Sequence, residues 1–191
     1  MKILFSYLFI AVGLSWAICE SIIASVKRAN RKSSDISDRN SEMILNFFTY
    51  SSLIFGFAVA QSKYLRFAKQ GDIITWAGLV IVLIGIAIRL HAIYRLKKFF
   101  TVNIAILNDH ELMTTGIYRF IRHPAYLGVI IAFAGMGLAL GNLLSCLIMV
   151  TPVLLVFLWR IRLEEQMLSH AFPHEYPAYQ KKSWRLIPFL I

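Results

Sequence analysis

The sequence predicts an all-α integral membrane protein of five transmembrane helices, the last two a tight helical hairpin. Three observations carry this prediction. The 191 residues are 58% hydrophobic and only 16% charged, with a mean hydropathy of +0.65, too little polarity to cover a soluble domain. Five apolar segments are long enough, or paired enough, to cross a bilayer. A bare Gly141-Asn142 turn joins the last two, so both outer ends of that pair emerge on one side.

The first segment, Ile3–Val26, has one lysine ahead of it, Lys2, and no small-x-small cleavage site behind it. It reads as a retained helix rather than a signal peptide. The loop "KRANRKSSDISDRN" that follows is polar, reads as flexible and carries no evident chemistry. The second segment is Met43–Gln61. The third, Ile73–Ile88, is short and ends on Arg89, whose guanidinium can snorkel to the interface.

The fourth and fifth segments are Ala125–Leu140 and Leu143–Trp159. Pro124 suits the first turn of the fourth, where no backbone N–H is needed. Gly137 and Gly141 form a small-xxx-small pair, with Gly128 and Ala132 one step earlier, a pattern that lets helix backbones approach closely. "GMGLALG" lies within an apolar helix and not after a strand, so it reads as packing rather than a nucleotide loop. Cys19 and Cys146 sit inside apolar segments with neither metal nor disulfide spacing. The chain thus divides into residues 1–99, three membrane helices, and residues 100–191, the hairpin with its polar flanks.

The net charge is +10. In this chain the basic excess reads as loops facing the cytoplasm, and no nucleic-acid partner is expected. Five basic residues (Lys27, Arg28, Arg31, Lys32, Arg39) lie in the first loop and three (Lys63, Arg66, Lys69) after the second segment. Further basic residues flank the hairpin, giving an outside N-terminus and a cytoplasmic C-terminus.

Three polar stretches then converge on the cytoplasmic face: residues 101–118, "RHPAY" at 122–126 and "WRIRLEEQML" at 159–168. Arg160 and Glu164 are four apart on one helix face. Taken alone they are a stabilising pair of about a few tenths of a kcal/mol, although Arg before Glu is the weaker order. Glu165 beside Glu164 adds weight, because adjacent carboxylates at a membrane boundary are costly unless a cation or ligand uses them. The free amides at the start of the fourth segment favour an anion. The hairpin brings Arg122, His123 and Tyr126 towards Arg160, Glu164 and Glu165, making one pocket. His123 by itself reads equally well as a helix cap. His170 and His174 are separated by Pro173, and no metal site is expected. Tyr176 and Tyr179 read as membrane-interface aromatics. No serine or cysteine nucleophile stands beside a base.

Together, "DHELMTTGIYRFIRHPAYLG", "RIRLEEQML" and "FPHEYPAYQKKSWRLIPFL" resemble the isoprenylcysteine carboxyl methyltransferase family and its phospholipid-methyltransferase relatives. The resemblance covers residues 100–191; the amino-terminal half matches in topology only. It implies a membrane bundle holding S-adenosylmethionine in a cytoplasm-facing pocket. By that resemblance the cofactor is bound by His110, Glu111, Leu112, Met113, Tyr118, His123, Pro124, Ala125, Tyr126 and Glu164, with Asn103 where the family can place a glutamine. Arg160 matches the arginine that holds the substrate carboxylate, and so takes the catalytic and substrate-binding role.

The residues agree chemically with that implication. A carboxylate acceptor is ionised at pH 7 and needs no base, but it does need a planar cation to hold it. Glu164 can accept from the cofactor's ammonium, and Tyr118 and Tyr126 can flank its adenine or sulfonium face. The expected activity is O-methylation of a carboxylate on a lipidic, prenylcysteine-like small molecule or protein, in contact with membrane lipids. A phospholipid amine or small thiol as acceptor, an NADPH-dependent sterol-type reductase and a non-catalytic membrane subunit are the alternatives. The oligomeric state stays open.

Overall fold

A computed structural model describes residues 2–29, 39–97, 100 and 112–189. The described residues form helices joined by short connections. They are α1 (Lys2–Ala29), α2 (Arg39–Ala60), α3 (Ile73–Leu96), a 3₁₀ turn at Gly116–Arg119, α4 (Pro124–Leu140), α5 (Leu143–Ala171) and α6 (Glu175–Gln180). Stretches of α1, α2, α3 and α5 are each long and apolar enough to cross a membrane. At 17 residues α4 is shorter, about 25 Å of helix.

Two helices outrun the bounds expected of them. α3 does not end at Arg89 but continues to Leu96. Arg89 does not snorkel: its Nη2 donates to Glu20 Oε2 of α1 at 2.7 Å, and its Nε to Glu20 Oε1. A compensated charge no longer has to leave the apolar layer, so the helix runs on. α5 likewise continues past Trp159 to Ala171, because Arg160 and Glu165 are buried against partners from the rest of the fold.

The centre of the bundle is an antiparallel pair, α3 against α4, joined backbone to backbone through small residues. A Cβ on Gly85 would stand 2.5 Å from the Gly128 carbonyl oxygen and 2.6 Å from the Ala132 nitrogen. One on Gly78 would stand 2.4 Å from the Ala139 nitrogen. The small stripe of α4 therefore faces α3, with the exception of Gly137, which lies against Cys146 of α5. Gly141 does not extend that stripe. It closes α4 in a left-handed conformation, φ 66°, which only glycine adopts cheaply. Gly85→Ala is expected to cost about 2–3 kcal/mol, because the two nearest obstructing atoms are backbone and the helices must separate. Gly13→Ala has nothing within 4 Å of its new Cβ and should gain up to about 1 kcal/mol from helix propensity. Thermal unfolding of both variants in detergent checks this pair.

Asn142 locks the hairpin turn. Its Oδ1 accepts from the Ser145 N–H at 3.0 Å, capping α5, and its Nδ2 donates to the Tyr64 carbonyl at 2.9 Å. The α2–α3 connection seals the same turn through Phe67 N–H to Gly141 O at 3.0 Å and Leu143 N–H to Leu65 O at 3.0 Å. Arg66 in that connection caps α2, donating to the Ala60 carbonyl at 2.7 Å. With this end fixed, the opposite ends of α4 and α5 are held side by side, and the polar residues lie there.

Candidate active site

Pro124 opens α4 at its first position, and the residue ahead of a proline is pushed out of helical geometry. His123 accordingly has φ −123° and makes no side-chain cap; its imidazole turns into the protein. The ring is buried and lies parallel to that of Tyr126, centroids 5.6 Å apart. Three residues on, Tyr126 shares that face of α4 and packs on Phe157 of α5 at 4.8 Å.

The Tyr126 hydroxyl stands between the arginine and the glutamate of α5. It donates to Glu164 Oε2 at 2.7 Å and accepts from Arg160 Nε at 3.2 Å. Arg160 and Glu164 thus communicate through a phenol from the neighbouring helix. Arg160 is only 2% exposed, and its Nη1 reaches Ser41 Oγ of α2 at 3.4 Å. His123 Nδ1 lies 3.7 Å from Glu164 Oε2. The Glu164 side chain is 29% exposed and is the carboxylate that faces outward.

Glu165 is engaged differently. Its Oε1 accepts from Arg122 Nε at 2.8 Å, and its Oε2 from Arg185 Nη2 at 2.7 Å and Nε at 3.0 Å. Arg122 also donates through Nη1 to the carbonyls of Gln180 and Ser183. The backbone repeats the tie: Arg122 N–H to Trp184 O at 2.8 Å, His123 N–H to Arg185 O at 3.1 Å and Trp184 N–H to Phe120 O at 2.9 Å. Glu165, Arg122 and Arg185 are therefore the knot that docks the carboxy-terminal segment under the start of α4. The tryptophan-arginine pair at 184–185 gave the knot no visible signature, since nothing local marks its partner.

Tyr176 and Tyr179 are buried parts of this assembly, not interface anchors as their aromatic character suggested. The Tyr179 hydroxyl donates to the Tyr118 carbonyl, and the Tyr118 hydroxyl to the Ala92 carbonyl of α3 at 3.3 Å. Burial pushes the Tyr179 phenol up to about 12. It raises those of Tyr118 and Tyr176 further, with Glu164 adding to the first and Glu165 to the second. All three stay protonated donors at any working pH.

Of the residues expected at the site, Tyr118, His123, Pro124, Ala125, Tyr126, Arg160 and Glu164 are brought together here. Met113 packs beside Tyr118 and Ala125. Leu112 lines a neighbouring cleft with Arg119, Tyr179 and Trp184. Asn103, His110 and Glu111 lie outside the described residues. Among the described residues, the buried side-chain atoms lacking a well-formed hydrogen bond are Arg95 Nε, His123 Nε2 and the Tyr176 hydroxyl, and all three lie at this end of the bundle. His123 Nε2 has only a 3.4 Å approach to Glu165 Oε1.

A cavity of about 880 Å³ opens between α1, α2, α3 and α4. Aromatic rings such as Phe9, Trp16, Phe57, Phe133 and Phe157 make its wall. Its only formal charges among the described lining residues are Glu20 and Arg89. Arg89 Nη1 donates to the Ala125 carbonyl at 3.4 Å, and Phe157 touches Tyr126, so the inner end of the cavity abuts the Tyr126–Arg160 pair. The signal for the ion pair was present in sequence: one acid and one arginine, each alone within an apolar span.

This geometry has counterparts. The isoprenylcysteine carboxyl methyltransferase family model matches residues 77–170, the stretch that holds α4 and most of α3 and α5. The solved structure of "the eukaryotic intramembrane Ras methyltransferase" superposes with a TM-score of 0.62 at 25% identity, covering 80% of this chain and 54% of that one. A protein of Oryza sativa subsp. indica, named "Probable protein-S-isoprenylcysteine O-methyltransferase", is 35% identical over 124 residues, 64% of this chain and 65% of its own length. Protein-S-isoprenylcysteine O-methyltransferase B of Arabidopsis thaliana is 31% identical over 134 residues, 69% of this chain and 68% of that protein.

The chain belongs to the isoprenylcysteine carboxyl methyltransferase family. As a member of that family it is a multi-pass integral membrane protein. It spans about two thirds of the rice relative's length and about half of the solved methyltransferase chain.

Proposed function

We propose that this family member is a membrane-embedded methyltransferase that uses S-adenosylmethionine to O-methylate a carboxylate on a lipidic, prenylcysteine-like acceptor. One observation carries the reading: a single phenol, Tyr126, joins a buried arginine to an outward-facing glutamate where an apolar membrane cavity ends. The donor set fits the cofactor. Glu164 offers an acceptor for its ammonium, and the first turn of α4 offers amides for its carboxylate. Buried donors without partners stand ready for its other polar atoms. When bound, that cofactor supplies a methyl group already activated on sulfur.

The protein's own work is alignment and exclusion of water. Arg160 holds the acceptor carboxylate with a planar fork, and Tyr126 fixes the angle of that fork. Tyr118 and Tyr126, neutral and rigid, wall the chamber. The cavity takes the apolar tail, so residues 1–99 chiefly hold the lipid while residues 100–191 hold the cofactor and the reacting atoms. Prenylated small molecules or proteins are the partners of choice, and no nucleic acid is needed.

In the bilayer α4 also crosses, bringing the crossings to five, and the site end faces the cytoplasm with an outside N-terminus. That end carries Arg95, Lys97, Arg119, Arg122, Lys181, Lys182 and Arg185. The far end keeps Lys2, Lys63, Arg66 and Lys69, of which Arg66 is occupied as a helix cap. The bias supports a positive-inside arrangement.

Displacement of labelled S-adenosylmethionine from the detergent-purified chain tests the reading. S-adenosylhomocysteine should compete in the micromolar range, about tenfold or more weakly in Glu164→Ala, which removes a charged partner. Binding of NADPH with no response to S-adenosylhomocysteine would transfer the chain to a sterol-type reductase chemistry.

A further inference from the structure

Arg95 occupies the last turn of α3, and among the described residues its hydrogen-bonding capacity is largely unmet. Its Nε is buried and bonds none of them. Its Nη2 reaches, among them, only the Thr115 hydroxyl, at 3.4 Å. No carboxylate among the described residues pairs with it. A cation near a helix C-terminus gains from the dipole, but the dipole does not satisfy an N–H, and a buried unsatisfied donor is costly.

The chain nevertheless makes room for this head. Gly116 has φ 64°, and a Cβ there would stand 2.8 Å from Arg95 Nη2 and 2.9 Å from Nε. The glycine of the G-I-Y motif is thus the floor on which the guanidinium rests. Thr115 Oγ1 is in turn 3.4 Å from Met113 Sδ. One turn back along α3, the Ala92 carbonyl receives the Tyr118 hydroxyl. Arg95 therefore borders Met113 and Tyr118 while bonding neither Glu164 nor His123.

We infer that Arg95, seated on Gly116, binds the adenosine half of the methyl donor, donating to acceptor atoms of the ribose or adenine. The inference rests on the proposed function. The amino-acid half of the donor already has partners of opposite charge in Glu164 and the start of α4. What remains is a neutral half rich in acceptors with a flat ring. A guanidinium serves both features, through directed N–H donors and a planar face.

The test is displacement of labelled S-adenosylmethionine from the full chain in detergent by S-adenosylhomocysteine and by 5′-methylthioadenosine, which lacks the amino-acid half. Arg95→Ala should weaken both competitors about tenfold. Glu164→Ala should weaken S-adenosylhomocysteine while leaving 5′-methylthioadenosine within about twofold. If Arg95→Ala lowers the melting temperature of the ligand-free protein, Arg95→Gln, which keeps the length and one amide donor, is read in its place. Loss confined to S-adenosylhomocysteine would put Arg95 at the amino-acid half and overturn the assignment. Unchanged binding of both would remove Arg95 from the site. A wild-type chain that binds neither compound would instead sink the proposed function, a result distinct from both.

Discussion

Arg160→Lys is expected to lower kcat/KM for a carboxylate-bearing lipid by about a hundredfold, about 2.7 kcal/mol, while leaving S-adenosylhomocysteine affinity within about threefold. The charge is kept in this variant, so a purely electrostatic role would survive it. What is lost is the fork. The guanidinium of Arg160 carries its N–H donors in one plane, from which it reaches Tyr126 and Ser41. A lysine ammonium presents its donors from one point and cannot keep the phenol, the serine and a carboxylate aligned together. Because Arg160 is 2% exposed, water cannot stand in for the missing donors. The measurement is steady-state turnover with the cofactor saturating, beside the displacement assay. Full turnover in Arg160→Lys would refute the clamp. Parallel loss of cofactor binding would make Arg160 a scaffold for Tyr126 instead.

The membrane helices were legible because hydropathy depends on composition and little else. Their ends were not, for one reason repeated twice. A charge inside an apolar run looks like the end of a span, yet Arg89 is neutralised by Glu20, and Arg160 is met by Tyr126 and Ser41. All three of these partners come from other helices. The small-residue stripe of α4 was visible, whereas its partner was not. Gly78 and Gly85 of α3 carry no mark of the residues they will face some fifty positions later. Gly141 was misassigned to the stripe because periodicity cannot distinguish the last packing glycine from a left-handed cap.

The meeting of the polar stretches was more legible than the fold around it. "RHPAY" and "RIRLEEQML" come together because a two-residue turn leaves the helix ends nowhere else to go. What spacing could not assign was the division of labour between Glu164 and Glu165. Adjacent helix residues point about 100° apart, and which of them meets the ligand depends on where the carboxy-terminal segment docks. That segment contributes Arg185 to Glu165, so Glu165 is consumed by the fold and Glu164 is left facing outward.

This division gives the second large effect. Glu165→Ala is expected to destabilise the protein by about 3–5 kcal/mol, since it strips the counter-ion from two arginines, one of them with a side chain only 9% exposed. Arg122 would keep only neutral acceptors, the Gln180 and Ser183 carbonyls, and Arg185 would lose both of its bonds to Oε2. The carboxy-terminal segment would then lose its charged ties and keep its backbone pairing, the Tyr179–Tyr118 bond and its apolar contacts. Glu164→Ala leaves the Tyr126 hydroxyl accepting from Arg160 but takes away the acceptor of its own proton, so its cost to folding should be about 1–3 kcal/mol, below that of Glu165→Ala. Thermal unfolding in detergent separates the neighbours. Limited proteolysis gives a local readout, because in Glu165→Ala the chain beyond Ala171 should become cleavable while the membrane helices stay intact. A Glu165→Ala protein with wild-type melting and a protected tail would mean that the Arg122–Glu165–Arg185 knot contributes geometry without stability, and that apolar contacts such as buried Tyr176 and Leu186 hold the segment instead.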